Sequence, residues 1–443
     1  MHPFLDIEQC RPVSLFFHIS DVLMGSFDRP SGARMINEVS KTTRAAFIAS
    51  AVAIGLVLFY AWGLSVMYGR TSGWLIDHSG QPRANEFMGV RAAGELVLQG
   101  HAIDAYDWQR HQARMVEIAG RSGMPYFQFP YPPTYFFVAA ALAVLPYLPS
   151  AMLWLVVTFA LYAGATARIS GIRQAALWAS ATPAAAINTF VAHTGFWTAG
   201  IMGFALQEIP KRPAFAGALL AILSFKPQLG LLVPVALVAG GHWRVIASAT
   251  AGTLALVLVS LICFGIEPWL TFPAQLSATQ DALRFGDPRI AASNYSIVVS
   301  IYGCLRTIGA PDSLAMAAQA ATALAMTASV FLLWRSAAPF PLQAAGLVSA
   351  SMLATPYLYI YDLLHLTIAL AFLVQHVGLA RLGRSEITVI ATAGIFIFLP
   401  LVLPLPMGFA ANVLIAGLIT AHAAPYLRAA IGWPVSAGPR VTS

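Results

Sequence analysis

Apolar runs alternate along this chain with short polar turns, and the basic residues return at intervals of about one membrane span. Taken with their flanks, the runs predict twelve spans: 45–67, 150–167, 174–191, 196–209, 213–225, 228–239, 245–265, 313–334, 341–357, 363–378, 387–404 and 407–424. The turns carrying Arg168/Arg173, Lys211/Arg212, Arg244, Arg335, Arg381/Arg384 and Arg428 then fall on one side with Lys41 and Arg44. By the positive-inside rule that side is the cytoplasm. The predicted fold class is an all-α polytopic membrane protein. A bacterial inner membrane is the expected location, with both termini cytoplasmic.

Residues 1–44 form a polar tail without the apolar core and cleavage site of a signal peptide, and 426–443 form a second cytoplasmic tail. The membrane domain is 45–425. After the first span the pattern breaks. Residues 68–133 hold six carboxylates (Asp77, Glu86, Glu95, Asp104, Asp107, Glu117) of the chain's eighteen and follow an in-to-out helix, so they are expected outside. Within them, Asn85–Gln99 reads as a short surface helix. Apolar residues recur there at three and four positions, Asn85 is the expected N-cap, and Gly100 the stop. Glu86 falls in the first turn, where a carboxylate complements the helix dipole.

Residues 132–149 (PPTYFFVAAALAVLPYLP) are apolar but bounded by prolines. They read as an interfacial or re-entrant helix, because counting them as a span would turn Arg168/Arg173 and Lys211/Arg212 outward. A second external loop, 266–312, is expected to hold another short helix near Ser296–Cys304. The stretch 213–239 has basic flanks at both ends and is too long for one ordinary span. It reads as a hairpin of two short spans turning at Lys226-Pro227-Gln228.

Composition changes the picture little. The chain is 58% hydrophobic and 10% charged with mean hydropathy +0.72, which excludes an ordinary soluble domain. The net charge of +7 sits mostly in cytoplasmic flanks, so it points to topology and not to nucleic acid. Cys10, Cys263 and Cys304 lack metal-site or redox spacing, and no metal is expected.

Three positions carry candidate chemistry. Lys226 is one of only three lysines and lies at the outer hairpin turn. It reads either as a snorkelling lysine at a helix end or as a ligand for an anionic group such as a lipid phosphate. Asp362, in TPYLYIYDLLHL, is a carboxylate inside an apolar run, with His365 three residues on. It reads either as a helix cap held by Tyr361 or backbone amides, or as a functional group. His193, in VAHTGFW, sits at an external turn and is structural or catalytic. Walker A, HExxH, GxGxxG after a strand and nucleophile-elbow motifs are all absent from the sequence.

With these residues in place, a resemblance emerges. Glu86-Phe87, Ala92-Ala93-Gly94, Gly100, Ala105-Tyr106-Asp107, Tyr131-Pro132-Pro133 and Leu145-Pro146 resemble the first external loop of glycosyltransferase family 87. Lys226-Pro227-Gln228, Asn294-Tyr295-Ser296, Thr355-Pro356-Tyr357 and Tyr361-Asp362 are similar to its later landmarks, in the same order. The resemblance implies a GT-C type membrane transferase, α-1,2-mannosyltransferase-like, that needs no cofactor. Its implied donor is a polyprenyl-phosphate sugar and its acceptor a glycan or glycolipid on the external face. Glu86 stands where the family usually has Asp and would be the base of an inverting transfer. Glu reaches one methylene farther, and a displacement of about 1 Å can cost roughly a hundredfold in rate. Asp77 is the reserve carboxylate. Lys226, with Arg91 or His193, would meet the leaving lipid phosphate, supported by Gln228, Tyr361 and Asp362. Two other readings stand beside it: a non-catalytic lipid-binding member of the same fold, and a secondary transporter with an Asp362/His365 relay.

Overall fold

The computed structural model describes residues 84–123, 125–285, 297–401, 403 and 405–430, together with 47, 49–63 and 65. Asp77, the Asn294-Tyr295-Ser296 landmark and both expected tails beyond these bounds lie outside the described residues. In chain order the α-helices are α1 (Ala49–Gly63), α2 (Asn85–Leu98), α3 (Trp108–Ala119), α4 (Phe136–Ala143), α5 (Tyr147–Ser170) and α6 (Ala175–Ser180). They continue as α7 (Pro183–Val191), α8 (Gly195–Glu208), α9 (Pro213–Ile222), α10 (Val233–Ala239), α11 (Trp243–Phe264) and α12 (Glu267–Phe285). The last six are α13 (Ile301–Thr307), α14 (Asp312–Arg335), α15 (Phe340–Ala354), α16 (Leu364–Val377), α17 (Arg384–Phe398) and α18 (Met407–Ala430). Apart from one isolated antiparallel bridge, Val298 to Tyr359, the described residues pair no strands.

Five helical segments among the described residues are apolar and long enough to cross a membrane: α5, α11, α14, Ile360–Val377 and α18. Shorter apolar helices accompany them at Ala49–Gly63, Pro133–Ala143, Pro213–Phe225, Pro227–Ala239 and Phe340–Ala354. The protein is therefore a polytopic helical membrane protein. The shortness of these extra helices has a local cause. Where 174–191 read as one span, the chain makes two short helices, because Pro183 holds Thr182 extended and Thr182 Oγ1 caps the new start at Ala185 N. Pro227 breaks 213–239 in the same way, and 3₁₀ turns at Leu223–Phe225 and Pro227–Gly230 replace a continuous helix.

From residue 84 on, the first loop is more helical than its polarity suggests. Beyond α2 it contains α3, which the sequence reading missed, started by Asp107 accepting from Gln109 N and Arg110 N at 2.9 and 3.1 Å. Asn85 is not the cap of α2. That place belongs to Ala84, and Asn85 is the first helical residue. Gly100 ends the helix as expected, with φ +81°. The proline-bounded stretch forms a 3₁₀ turn, Pro133–Tyr135, and α4, then breaks at Pro146 before α5. The second loop also contains helix among its described residues: α12 spans 19 residues, and α13 supplies the expected short helix after a Ser300 cap.

Packing explains the Ala92-Ala93-Gly94 run. Both alanines are fully buried. At Gly94 the backbones of α2 and α4 meet so closely that a Cβ would fall on the Ala139 carbonyl and 2.9 Å from the Ala143 Cβ. Gly94→Ala should therefore lower stability by about 1–3 kcal/mol, although alanine is the better helix former. At Gly417 in α18 an added Cβ would meet nothing within 4 Å. Gly417→Ala should be neutral or stabilising by up to about 1 kcal/mol, and thermal unfolding in detergent compares the two. Equal effects of the two substitutions would refute the close-approach account of Gly94.

Candidate active site

Glu86 is presented by a strained turn. Ala84 adopts φ 55° and ψ 52°, a left-handed conformation that costs a non-glycine residue about 1–2 kcal/mol. Its carbonyl accepts from Phe87 N and from the Tyr147 hydroxyl, both at 2.9 Å, so α5 holds the turn in place. A second left-handed alanine, Ala192 at φ 53°, immediately precedes His193. Such strain persists where the surroundings over-determine it, and here it flanks two candidate site residues.

Lys226 and Asp362, 136 residues apart, form a buried ion pair, with Nζ 2.7 Å from Oδ1. They are only 5% and 1% exposed. Tyr359 N donates to the other carboxylate oxygen at 3.3 Å, and the ammonium lies 5.5 Å from the centre of the Tyr361 ring. The segments carrying the pair are pinned from outside. Thr355 Oγ1 donates to the Gln228 carbonyl at 2.8 Å. The second loop pairs with 358–360 through Val299 N to Leu358 O and Ile360 N to Ile297 O.

His193 joins the same cluster. Its ring stacks on Tyr361 with centroids 3.8 Å apart, its Nε2 is 3.2 Å from the Tyr131 hydroxyl, and its Nδ1 is 3.2 Å from Thr194 Oγ1. Glu86 lies within electrostatic reach of Lys226, Tyr131, Tyr359 and Tyr361. It keeps partial exposure, yet burial pushes its carboxyl up to about 7, against the opposing pull of the Lys226 charge. A carboxyl poised near neutrality beside a fixed cation can exchange a proton with a substrate.

The other described carboxylates of the first loop are committed elsewhere. Glu95 binds Arg91 and Arg114, Asp104 binds Arg110, Asp107 caps α3 and Glu117 binds Arg114. Arg91 is not brought into the cluster. Its guanidinium is held by Glu95 and by the carbonyls of Leu142 and Leu145, where it ties α2 to the end of α4. Gln228 takes part through its backbone carbonyl. The His365 ring meets the Asp362 backbone carbonyl at 2.8 Å, while the carboxylate itself is taken by Lys226. The geometry thus gives an ion pair and not a carboxylate–histidine relay. No group of three or more metal-ligating side chains occurs among the described residues.

The sequence reading missed the aromatic packing beside the cluster, where Tyr131, Tyr135 and Phe225 stack together and Tyr359 stacks on Tyr361. Tyr135 stacks on Phe225 at 4.6 Å and approaches Tyr131 at 4.5 Å. The available signal was the tyrosine density around both landmarks, in YPPTYFF and YLYIYD.

Apolar helices long enough to cross a membrane, together with a buried ion pair, define the class as a helical membrane protein. Residues 129–356, half of the chain, match the model of glycosyltransferase family 87. The chain belongs to that family and is a membrane glycosyltransferase. Neither the curated proteins nor the solved structures gave a match. The matched residues include His193 and Lys226. Asp362 lies outside them and is joined to Lys226 by the ion pair, while Glu86, also outside, feels the Lys226 charge.

Removing one partner of a buried ion pair leaves an uncompensated charge, at a cost of about 3–5 kcal/mol. Lys226→Met and Asp362→Asn should each destabilise by that order, whereas Lys226→Met with Asp362→Asn together should recover much of the loss. A double-mutant cycle read by thermal unfolding checks this. Additive losses would mean that the two residues act independently.

Proposed function

We propose that the protein transfers a hexose, mannose-like, from a polyprenyl-phosphate sugar to a hydroxyl of an external glycan or glycolipid, with Glu86 as base. The observation that carries this reading is the buried Lys226–Asp362 ion pair, with Tyr359 and Tyr361 against it and Glu86 within reach of the Lys226 charge. An acceptor hydroxyl attacks the anomeric carbon and gives its proton to Glu86. The bond from that carbon to the phosphate oxygen breaks, and the lipid phosphate departs with the electron pair. The anomeric carbon is inverted. Lys226 stabilises the charge that grows on the leaving phosphate. An ammonium has three N–H donors, of which Asp362 takes one, so the pairing aims Lys226 without exhausting it.

The donor arrives already activated, which accords with a sequence free of nucleotide motifs. The site is assigned to the external, periplasmic face, on the charge asymmetry of the turns. Single cysteines placed at Glu86 and Arg173 should differ in intact cells. An impermeant thiol reagent should label the first and spare the second, and the reverse pattern would turn the site to the cytoplasm.

Glu86→Gln should lower transfer by about a hundred- to ten-thousandfold with little change in thermal stability, since the amide keeps the shape but takes no proton. Glu86→Asp should remain active. Only the carboxylate form accepts the proton, so kcat/KM of the wild type should rise with pH and level off above about 7. The measurement is sugar transfer by detergent-solubilised protein from a panel of polyprenyl-phosphate sugars. Near-normal turnover by Glu86→Gln would place the base elsewhere.

A further inference from the structure

Tyr135 is 1% exposed, and its hydroxyl has no hydrogen-bond partner among the described residues. Neighbouring tyrosines differ. Tyr106 donates to the Tyr131 carbonyl and Tyr147 to that of Ala84. The Tyr135 ring is fixed between Phe225, the residue before Lys226, and Tyr131, whose hydroxyl touches His193. Rigid stacking therefore fixes a tyrosine with an unsatisfied hydroxyl against the residue that precedes Lys226 and against the tyrosine that meets His193.

Trp197, four residues after His193 and in the first turn of α8, repeats the pattern. Its indole N–H is buried without a partner among the described residues, its ring stacks on Trp154 at 5.2 Å, and it packs against the aromatic clusters that contain Tyr135 and Phe87. A buried polar group without a partner opposes folding, so two at one site need a compensating role. Aromatic rings with a free polar tip suit a carbohydrate, which presents apolar C–H faces edged by hydroxyls. A site built to hydrogen-bond a hydroxyl also discriminates strongly against ligands that lack it.

We infer that the Tyr135 hydroxyl and the Trp197 indole N–H complete their hydrogen bonds on hydroxyls of the sugar carried by the donor, and so recognise the transferred sugar. This rests on the donor reading above. Neither residue moves a proton in the transfer. Both position the sugar ring between the base and the departing phosphate.

The test compares binding of a polyprenyl-phosphate mannose and of the same polyprenyl phosphate without sugar to purified protein in detergent, by calorimetry. The wild type should bind the mannose-bearing lipid more tightly. Tyr135→Phe, which only deletes the hydroxyl, should lose about tenfold in affinity for that lipid, leave the bare phosphate unchanged, and keep or raise thermal stability. Trp197→Phe should act in the same direction. Unchanged affinity for both lipids in Tyr135→Phe would mean that the hydroxyl is satisfied by water and would overturn the inference. Equal loss for both lipids would do the same, by assigning Tyr135 to the phosphate. If the wild type bound neither lipid, the donor reading would fail and take this inference with it.

Discussion

The buried ion pair between Lys226 and Asp362 is the constraint on which the rest of the site depends. Two charges withdrawn from water lose several kcal/mol of hydration each, and an ion pair recovers it only with good geometry and added hydrogen bonds. Both conditions shape the neighbourhood. The 2.7 Å contact, the Tyr359 amide on the second carboxylate oxygen and the nearby Tyr361 ring surround the charges with compensating groups. The Thr355 bond to the Gln228 carbonyl and the bridge from the second loop fix the two backbones that carry them. A lysine that reads in sequence as a snorkelling helix end is here turned inward, because its counter-ion is inside.

Around this pair the first loop acts largely as scaffold. Of its sequence landmarks, Ala92-Ala93-Gly94 admits α4, Gly100 ends α2, Tyr106 ties to the Tyr131 carbonyl, Asp107 starts α3, and Leu145 offers its carbonyl to Arg91. Each fixes a helix end or a helix contact within the segment that carries Glu86 and Tyr131. That division of labour accounts for a polar, carboxylate-rich loop whose described acids are mostly spent on arginines, with Glu86 reaching the cluster.

Glu86 stands in the first turn of a helix entered through a left-handed alanine and keeps partial exposure. Asp362 takes the direct contact with the ammonium, and on Glu86 burial outweighs the pull of the Lys226 charge. The two acids thus differ in kind: one is spent on the ammonium, and the other has its carboxyl raised by burial. A relay through His365 finds no support in this arrangement, since its ring addresses a backbone carbonyl.

The sequence by itself determined the helical membrane class, the short helix that begins beside Glu86, the proline-bounded helix after it, and the singularity of Lys226 and Asp362. Each of these is local: apolar periodicity, a proline, or a charge where water is scarce is written in neighbouring residues. Where the reading failed, the determinant was still near but ambiguous. Thr182-Pro183 splits a span that hydropathy draws as continuous, and α3 hides in a polar segment. Tertiary structure alone decided that Lys226 pairs with Asp362, that His193 stacks on Tyr361, that Arg91 is a tie between helices, and that Tyr135 meets Phe225. Those contacts join residues far apart in the chain, and their energies come from charges and rings sharing one water-poor space, which no window of sequence contains.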